Sequence, residues 1–406
     1  RRHTRFRNVT GVQTCALPIF EDTQNLIRID SQNPGIQEAE CGSWVAQRLK
    51  NLGLTPEIIT VAPHRDNLIF TIPGNPDLPR LVILGHLDTV PIGAGWTFSP
   101  LAGEIANNRI YGRGACDMKG GVAVAIGLVE ALHKAGTNPA GDILFVATVD
   151  EEAPDMAGAH SLVESGILRA SDQVIALEPT GTRLRIAQMG LRWLDIQVTG
   201  KMAHAGRAHL GIDSAHIMSR IVDRLKTYIY SLPHEDPILG KPRFTCGVFH
   251  SGVATNVVPP TAEAKFDVRI VPPMQISEVI PLVEKIASEV TAEFPGSTFK
   301  VTGLGAPRPP VRASEDSLIV RSIRASYLKF AGQEIPVGAN DGHEAYTDAS
   351  MVAALTGSMS CTVFGPGSTD QAHTADEFVS IAELELVSQV LWDMVVNWKN
   401  RFEKAS

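Results

Sequence analysis

The chain has 406 residues, of which 44% are hydrophobic and 20% charged, and its formal net charge is −8. This length favours two domains and the composition is ordinary for a globular protein. A negative chain repels phosphate backbones, which argues against a nucleic-acid partner, and no apolar run approaches the roughly 18 residues of a membrane-spanning helix. Five cysteines without a CxxC pair predict reduced thiols and a cytoplasmic protein.

Residues 1–19 are predicted to lie outside the native fold. Residues 9–19 match the translation of a common sequencing-adapter strand, so we interpret the segment as an artefact of sequence assembly. The alternative is a basic targeting segment, because the segment holds four arginines and no acidic residue, although a signal peptide has a longer apolar core. On the first interpretation these residues are unpacked and dispensable.

Helices and apolar strands alternate over much of the rest of the chain. Four continuous apolar runs are predicted strands: Leu81–Leu84, Ile143–Val149, Val174–Leu177 and Thr362–Phe364. Four helices are predicted around them: Phe20–Asp30, Glu38–Leu52, Gly120–Ala135 and Ser161–Ser165. Unbroken apolar runs indicate strands that are covered on both faces, as in a mostly parallel sheet. The alternation predicts an α/β layered domain.

The middle of the chain has a different pattern. Strand, helix, strand, strand, helix and strand are predicted in this order: Leu191–Thr199, Asp213–Leu232, Arg243–Val253, Ala262–Ile270, Gln275–Phe294 and Thr298–Thr302. This order is typical of a ferredoxin-like fold. We therefore expect an inserted domain at 184–303 between two parts of the first domain, 20–183 and 304–406.

Histidines and acidic residues come just after the predicted strands or just before a helix. They are His86, Asp88, Asp117, Glu151, Glu152, Glu178 and His373. Ligands of a parallel sheet collect at the carboxyl ends of its strands. Each residue alone is better explained as a helix cap, a surface charge or a loop residue. Together, two histidines and three carboxylates form a mixed nitrogen and oxygen set suited to zinc, or to cobalt or manganese, and predict a two-metal hydrolase.

The chain from about residue 20 to its end resembles the dinuclear zinc amidohydrolases that include acetylornithine deacetylase, succinyl-diaminopimelate desuccinylase, aminoacylase and glutamate carboxypeptidase. The motifs that carry the resemblance are GHLDTVP, GRGACDMKGG, the Glu-Glu pair, LEPT, GKMAHAG and FGPGSTDQAHTADE. The resemblance implies a mostly parallel-sheet zinc-peptidase catalytic domain with an inserted ferredoxin-like dimerisation domain.

The resemblance also implies which residues bind metal. Asp117 would bridge two zinc ions in each chain, which cobalt or manganese could replace. His86 and Glu178 would complete one site, and Glu152 and His373 the other.

Catalytic and substrate-binding roles follow from the same resemblance. Asp88 would orient His86, and Glu151 would be the general base. His204 would donate to the oxyanion in the active site of the opposite subunit, which implies a homodimer. The family's substrate-contacting positions are matched by Asn256, Arg269 and Gly365. Taken alone, His204 is better explained as a surface histidine, and Arg269 could belong to a surface ion pair.

The substrate class remains open between branches of the family. Glu178 stands where some dipeptidases and aminoacylases carry aspartate, and the segment after Phe364 is most similar to acetylornithine deacetylase. However, Asp348 stands where that enzyme typically has glutamate. We expect hydrolysis of an N-acyl amino acid, or a similar amide or dipeptide, with a free carboxylate. A glutamate carboxypeptidase or dipeptidase is the alternative, and a non-catalytic binding protein of the same fold is a remote third.

Overall fold

The computed structural model describes residues 16–34, 38–338 and 345–403. The α-helices within these ranges are α1 (Ala16–Arg28), α2 (Glu38–Lys50), α3 (Gly120–Ala135), α4 (Ala157–Glu164), α5 (Ser214–Ser231), α6 (Val279–Thr291), α7 (Leu318–Ala331), α8 (Asp348–Thr356), α9 (Ile381–Val396) and α10 (Trp398–Glu403). The first strands are β1 (Glu57–Ala62), β2 (Arg65–Ile72), β3 (Leu81–His86), β4 (Glu104–Ala106), β5 (Arg109–Tyr111), β6 (Ile143–Thr148), β7 (Gln173–Ala176), β8 (Ala187–Gln188) and β9 (Gly190–Thr199). The remaining strands are β10 (Ala203–His204), β11 (Arg243–Ser251), β12 (Val257–Val258), β13 (Thr261–Ile270), β14 (Thr298–Arg308), β15 (Val311–Arg312), β16 (Cys361–Val363) and β17 (Phe378–Ser380).

A six-stranded sheet with the order β1-β2-β6-β3-β7-β16 is the centre of the first compact unit. Strands β6, β3, β7 and β16 are parallel, whereas β1 and β2 form an antiparallel edge. Every residue of β3, β6 and β7 is buried, which is the result expected for strands covered on both faces. The predicted α/β fold with a mostly parallel sheet is confirmed. The four parallel strands end at one edge of the sheet.

Helix α3 is buried along most of its length because its sequence is apolar on all sides. Residues 120–132 are all buried, and α1, α9 and β3 contact this helix. A helix without a polar face belongs in the interior of a domain. The predicted bounds of this helix, Gly120–Ala135, are those observed.

The prediction that residues up to 19 are unpacked is wrong at Ile19. Residues 1–15 lie outside the described residues, but α1 begins at Ala16, and Ile19 is only 1% exposed. Its side chain packs on α3 at Gly127, where an added Cβ atom would lie 2.4 Å from Ile19 Cγ1. Burial of this isoleucine is favourable because its apolar side chain is removed from water. This gain does not depend on how the segment came to be in the sequence.

A chain that begins at Phe20 is therefore expected to be less stable than one that begins at Ala16. Loss of the buried Ile19 side chain should cost about 2–4 kcal/mol of unfolding free energy. Thermal or denaturant unfolding of the two chains measures the difference, and Ile19→Ala in the full chain should reproduce it. Equal stability of all three proteins would contradict the packing described here.

The second compact unit includes residues Ala187–Val311. Its antiparallel sheet has the order β11-β13-β9-β14 and packs against α5 and α6. Residues of both helices share one apolar core with β9 and β13. The strand and helix order is the one predicted for a ferredoxin-like unit. The last strand is longer than predicted, because β14 continues to pair with β9 through a register shift between Leu304 and Arg308.

The described cysteines are free thiols at positions 41, 116, 246 and 361. None of the described helices combines the length and the apolar character that crossing a membrane requires.

Candidate metal and catalytic centre

Two groups of side chains converge at the carboxyl edge of the central sheet. The first contains His86, the last residue of β3, together with Asp117 and Glu178. His86 Nε2 lies 3.0 Å from Asp117 Oδ1 and 3.7 Å from Glu178 Oε2. All three residues are largely removed from solvent: the His86 side chain is 1% exposed, that of Glu178 7% and that of Asp117 14%. Such a nitrogen and oxygen set can hold a cation such as zinc.

The second group shares Asp117 with the first and adds Glu152 and His373. His373 Nε2 lies 3.1 Å from Glu152 Oε1 and 3.4 Å from Asp117 Oδ2. In each group the ligand atoms lie within 4.8 Å of one another. Asp117 therefore turns one oxygen toward each group, which is the arrangement of a bridging carboxylate.

The backbone of Asp88, rather than its carboxylate, makes the hydrogen bond that orients His86. The carbonyl oxygen of Asp88 lies 2.9 Å from His86 Nδ1, whereas its carboxylate Oδ1 is 3.8 Å away. This contact turns Nε2 toward Asp117. The Asp88 carboxylate instead accepts hydrogen bonds from the backbone N–H groups of Glu151 and Glu152 at 3.3 and 3.1 Å. Asp88 thus organises both a histidine and the glutamate pair.

Glu151 belongs to neither metal-ligand group, although it is adjacent to Glu152. Burial raises the pKa of Glu151 well above its usual value, and the negative charge of Glu178 adds to this effect. A carboxyl group with a raised pKa close to a cation site is suited to accept and return a proton near neutral pH.

Contacts with the carboxylates raise the pKa of both histidines of this cluster. Hydrogen bonds with Asp117 and Glu152 raise the pKa of His373 to about 10. Burial lowers the pKa of His86, but Glu178 and Asp117 more than offset burial and raise it well above its usual value. Burial would raise the pKa of Asp117, but the hydrogen bonds from the histidines lower it. Burial raises the pKa of Glu178 to about 8.

Two polar residues near this edge were not predicted to take part. Asn33 donates to Asp88 Oδ2 at 2.8 Å and to Asp150 Oδ1 at 3.2 Å, so it joins the segment after β3 to the residue that precedes the glutamate pair. Asn33 lies just after the predicted helix Phe20–Asp30, and no motif in the sequence indicated its role. Asp348 is 2% exposed and accepts a hydrogen bond from Thr148 at the end of β6. Burial raises the pKa of Asp348 to about 6.

Gly365 allows the loop after β16 to lie directly on the Glu178 segment. A Cβ atom at this position would lie 2.4 Å from the carbonyl oxygen of Leu177 and 2.5 Å from that of Glu178. Thr180 Oγ1 fixes the approach through hydrogen bonds to the N–H and the carbonyl of Gly365, both at 3.1 Å. Any larger residue would displace this loop.

The other predicted residues lie in the second unit. His204 in β10 pairs with Val257 of β12, and the N–H of Ala205 donates to the carbonyl of Asn256 at 2.9 Å. The structure therefore brings the backbones of His204 and Asn256 together, and both residues are exposed. Arg269 makes two hydrogen bonds to the Asp267 carboxylate, at 2.8 and 3.0 Å. Arg269 thus forms an ion pair, which the sequence analysis gave as the alternative to substrate binding.

Comparison with known families and curated proteins gives a consistent result. The model of peptidase family M20/M25/M40 matches residues 82–397. An N-acetyl-L-citrulline deacetylase of Xanthomonas campestris is 29% identical over 373 residues, which cover 90% of this chain and 94% of the relative. A probable succinyl-diaminopimelate desuccinylase of Staphylococcus epidermidis is 27% identical over 383 residues, which cover 87% of this chain and 91% of the relative.

Solved structures share the fold over nearly the whole chain. An M20 family metallo-carboxypeptidase from Sulfolobus solfataricus has a TM-score of 0.79 at 18% identity and covers 94% of this chain and 99% of its own. A dinuclear metal-binding peptidase of the M20 family from Bacillus subtilis has a TM-score of 0.71 at 17% identity, with 95% and 98% covered. At these identities the similarity supports the fold.

Proposed function

Because the chain belongs to peptidase family M20/M25/M40, we propose that it is a metal-dependent hydrolase that cleaves the amide bond of an N-acyl amino acid. The observation that carries the proposal is the orientation of Asp117, whose two carboxylate oxygens face two different ligand groups. The curated relatives that are named as a deacetylase and a desuccinylase favour this substrate class. Free thiols are in keeping with a cytoplasmic location.

His86, Asp117 and Glu178 would hold one zinc ion, and Asp117, Glu152 and His373 the other. Their atoms are imidazole nitrogens and carboxylate oxygens, a set that fits zinc, and also cobalt or manganese. Bound there, the two ions would polarise the amide carbonyl and lower the pKa of a water molecule toward ~7.

Glu151 is the proposed general base. It would take a proton from the attacking water and later deliver it to the leaving amine. The raised pKa of Glu151 suits this role, because the carboxyl group must hold the proton between the two events. Asp88 supports the transfer, since its carboxylate fixes the backbone of Glu151.

The second unit would complete the site of a partner subunit in a homodimer. Strand β11 is an edge strand of its sheet, and Phe249 on this strand and Val253 just beyond it are 45% and 78% exposed. An exposed apolar edge favours pairing with a second copy, and two-fold symmetry is the commonest arrangement. His204 would donate to the oxyanion of the partner's substrate. Asn256 beside it would contact the same substrate.

Arg269 and Gly365 are the proposed determinants for the substrate's acid group and acyl group. Arginine binds a carboxylate through two parallel hydrogen bonds, and Asp267 already holds the Arg269 guanidinium in this bidentate way. A free substrate carboxylate would replace or share this contact. Gly365 would line the pocket through its loop beside Glu178.

A hydrolysis panel tests the proposal. Acetyl-, succinyl- and formyl-amino acids and unmodified dipeptides are assayed with and without added zinc or cobalt. We expect metal-dependent release of the amino acid, with N-acyl amino acids cleaved faster than dipeptides. Faster cleavage of dipeptides would favour the peptidase alternative. Absence of hydrolysis from fully metal-loaded protein would favour a binding function.

Metal binding is expected to release protons. Metal ligands must be deprotonated, whereas His373 and Glu178 hold their protons at pH 7 in the metal-free chain, with pKa values of about 10 and 8. At least two protons should therefore leave when both ions bind, and affinity should rise as the pH increases from 6 to 9. Calorimetric titration in buffers of different ionisation enthalpy measures this release. A binding heat that is independent of the buffer would contradict it.

A further inference from the structure

Arg113 and Glu377 form a buried ion pair that the proposed mechanism does not use. Their side chains are 3% and 1% exposed, and Arg113 Nη1 lies 2.5 Å from Glu377 Oε2. Arg113 lies four residues before Asp117, and Glu377 lies four residues after His373. The pair therefore joins the two segments that bring a bridging ligand and a terminal ligand to the second group.

Glu377 also contacts the backbone of the bridging ligand. Its Oε1 atom accepts hydrogen bonds from the N–H groups of Cys116 and Asp117, at 2.8 and 3.0 Å. The N–H of Gly112 donates to the Glu377 carbonyl at 2.9 Å. Three backbone contacts and one ion pair thus fix Glu377 against the irregular turn that carries Asp117.

The same anchor extends to the loop that follows Asp88. Arg113 Nη2 donates to the carbonyls of Pro91 and Ile92 at 3.2 and 3.1 Å, and its guanidinium lies 5.1 Å from the centre of the Trp96 ring. Asp376, next to Glu377, accepts hydrogen bonds from the backbone N–H groups that follow Trp96. The charged pair therefore contacts three segments of the chain.

His373 has less support from the central sheet than His86 and Glu178 have. His86 ends β3, and Glu178 follows β7 closely, so the sheet itself positions both residues. His373 instead lies in the loop between β16 and β17, with a positive φ of 62° and a side chain that is 51% exposed.

We propose that Glu377 is a positioning residue that, paired with Arg113, holds Asp117 and His373 at the separation that the second metal requires. The proposal rests on the proposed metal-binding function of these residues. Residues that support metal ligands typically change metal affinity by about 10–100-fold when they are removed. We expect an effect of this size at the Asp117–Glu152–His373 group and a smaller effect at the His86–Asp117–Glu178 group, which shares Asp117 but has two ligands positioned by the sheet.

Asp172 offers a matched control. Its carboxylate is also buried, pairs with Arg80 at 2.6 and 3.0 Å, and accepts a backbone N–H, that of Arg169, at 2.8 Å. It lies just before β7, at the opposite end of this strand from Glu178. Asp172→Ala should therefore remove a comparable ion pair and destabilise the protein without weakening either metal.

The experiment is a cobalt titration of metal-free, full-length protein, followed by absorption spectroscopy and by metal analysis after dialysis. Wild type, Glu377→Ala, Glu377→Gln and Asp172→Ala are compared after their folding has been checked by circular dichroism. We expect Glu377→Ala to bind the second cobalt ion at least tenfold more weakly than wild type, with a smaller loss of affinity for the first. Glu377→Gln should be less impaired, because its amide oxygen can still accept from the two N–H groups.

Three results would overturn the inference. Wild-type affinity for both ions in Glu377→Gln and in folded Glu377→Ala would show that the pair does not position the ligands. If Asp172→Ala loses as much affinity for the second cobalt ion as Glu377→Ala does, the effect is due to general destabilisation. If Glu377→Ala does not fold, an unchanged second site in Glu377→Gln would likewise overturn it. A wild-type protein that binds fewer than two ions would instead contradict the proposed function.

Discussion

Replacement of Glu151 by alanine is expected to lower kcat by about 10²–10⁴-fold, because the water loses its proton acceptor and the amine its proton donor. Metal content should stay at the wild-type value, since Glu151 belongs to neither ligand group. Steady-state kinetics and metal analysis of the same preparation measure the two quantities. Glu151→Gln should be impaired to a similar extent, because an amide keeps the shape but cannot accept the proton.

Two other glutamates, Glu152 and Glu164, serve as controls for Glu151. Glu152→Ala should lose metal as well as activity, because Glu152 lies 3.1 Å from His373 in the second group. Glu164→Ala should change neither quantity, because Glu164 is an exposed residue at the end of α4. Near-normal turnover by metal-loaded Glu151→Ala would exclude Glu151 as the general base.

Replacement of His204 by alanine is expected to lower kcat by about 10²–10³-fold, the usual effect of removing one donor to an oxyanion. Because His204 is proposed to act in the partner's site, mixed dimers should recover activity. When His204→Ala and Glu151→Ala chains are mixed and reassociated, half of the dimers are mixed and one of their two sites is intact. About a quarter of the wild-type sites should therefore return in a symmetric dimer.

His209→Ala is the control for this experiment, because His209 is exposed, has no predicted role and lies in the short helical turn Ala205–Leu210 that follows His204. It should keep wild-type kcat. If mixed dimers form, as shown by two distinguishable tags, and no activity returns, His204 acts within its own chain or has no catalytic role.

The central sheet and the ligand cluster could be predicted because both leave local signals. Continuous apolar runs mark buried parallel strands, and the predicted strand at 143–149 differs from β6 only by its last residue. Since parallel strands end at the same edge, His86 and Glu178 had to lie close together once the strands were assigned. Asp117 joined them because it precedes the apolar helix α3.

The contacts that support the ligands could not be predicted, because they join distant segments through single hydrogen bonds. Nothing near Glu377 indicates that it accepts the N–H of Asp117, 260 residues away in sequence. Asp88 was predicted to orient His86, but the contact comes from its backbone carbonyl, and the sequence does not distinguish the two. Ile19 was missed because the unusual origin suggested for its segment outweighed its apolar character.

Anomalous diffraction at the zinc edge from zinc-loaded crystals is the most direct test of the two-metal centre. Two peaks are predicted, each about 2.0–2.2 Å from its ligand atoms. One should contact His86 Nε2, Asp117 and Glu178, and the other Asp117, Glu152 and His373. A single peak in fully loaded protein, or two peaks that do not share Asp117, would contradict the bridged two-metal centre on which the proposed function depends.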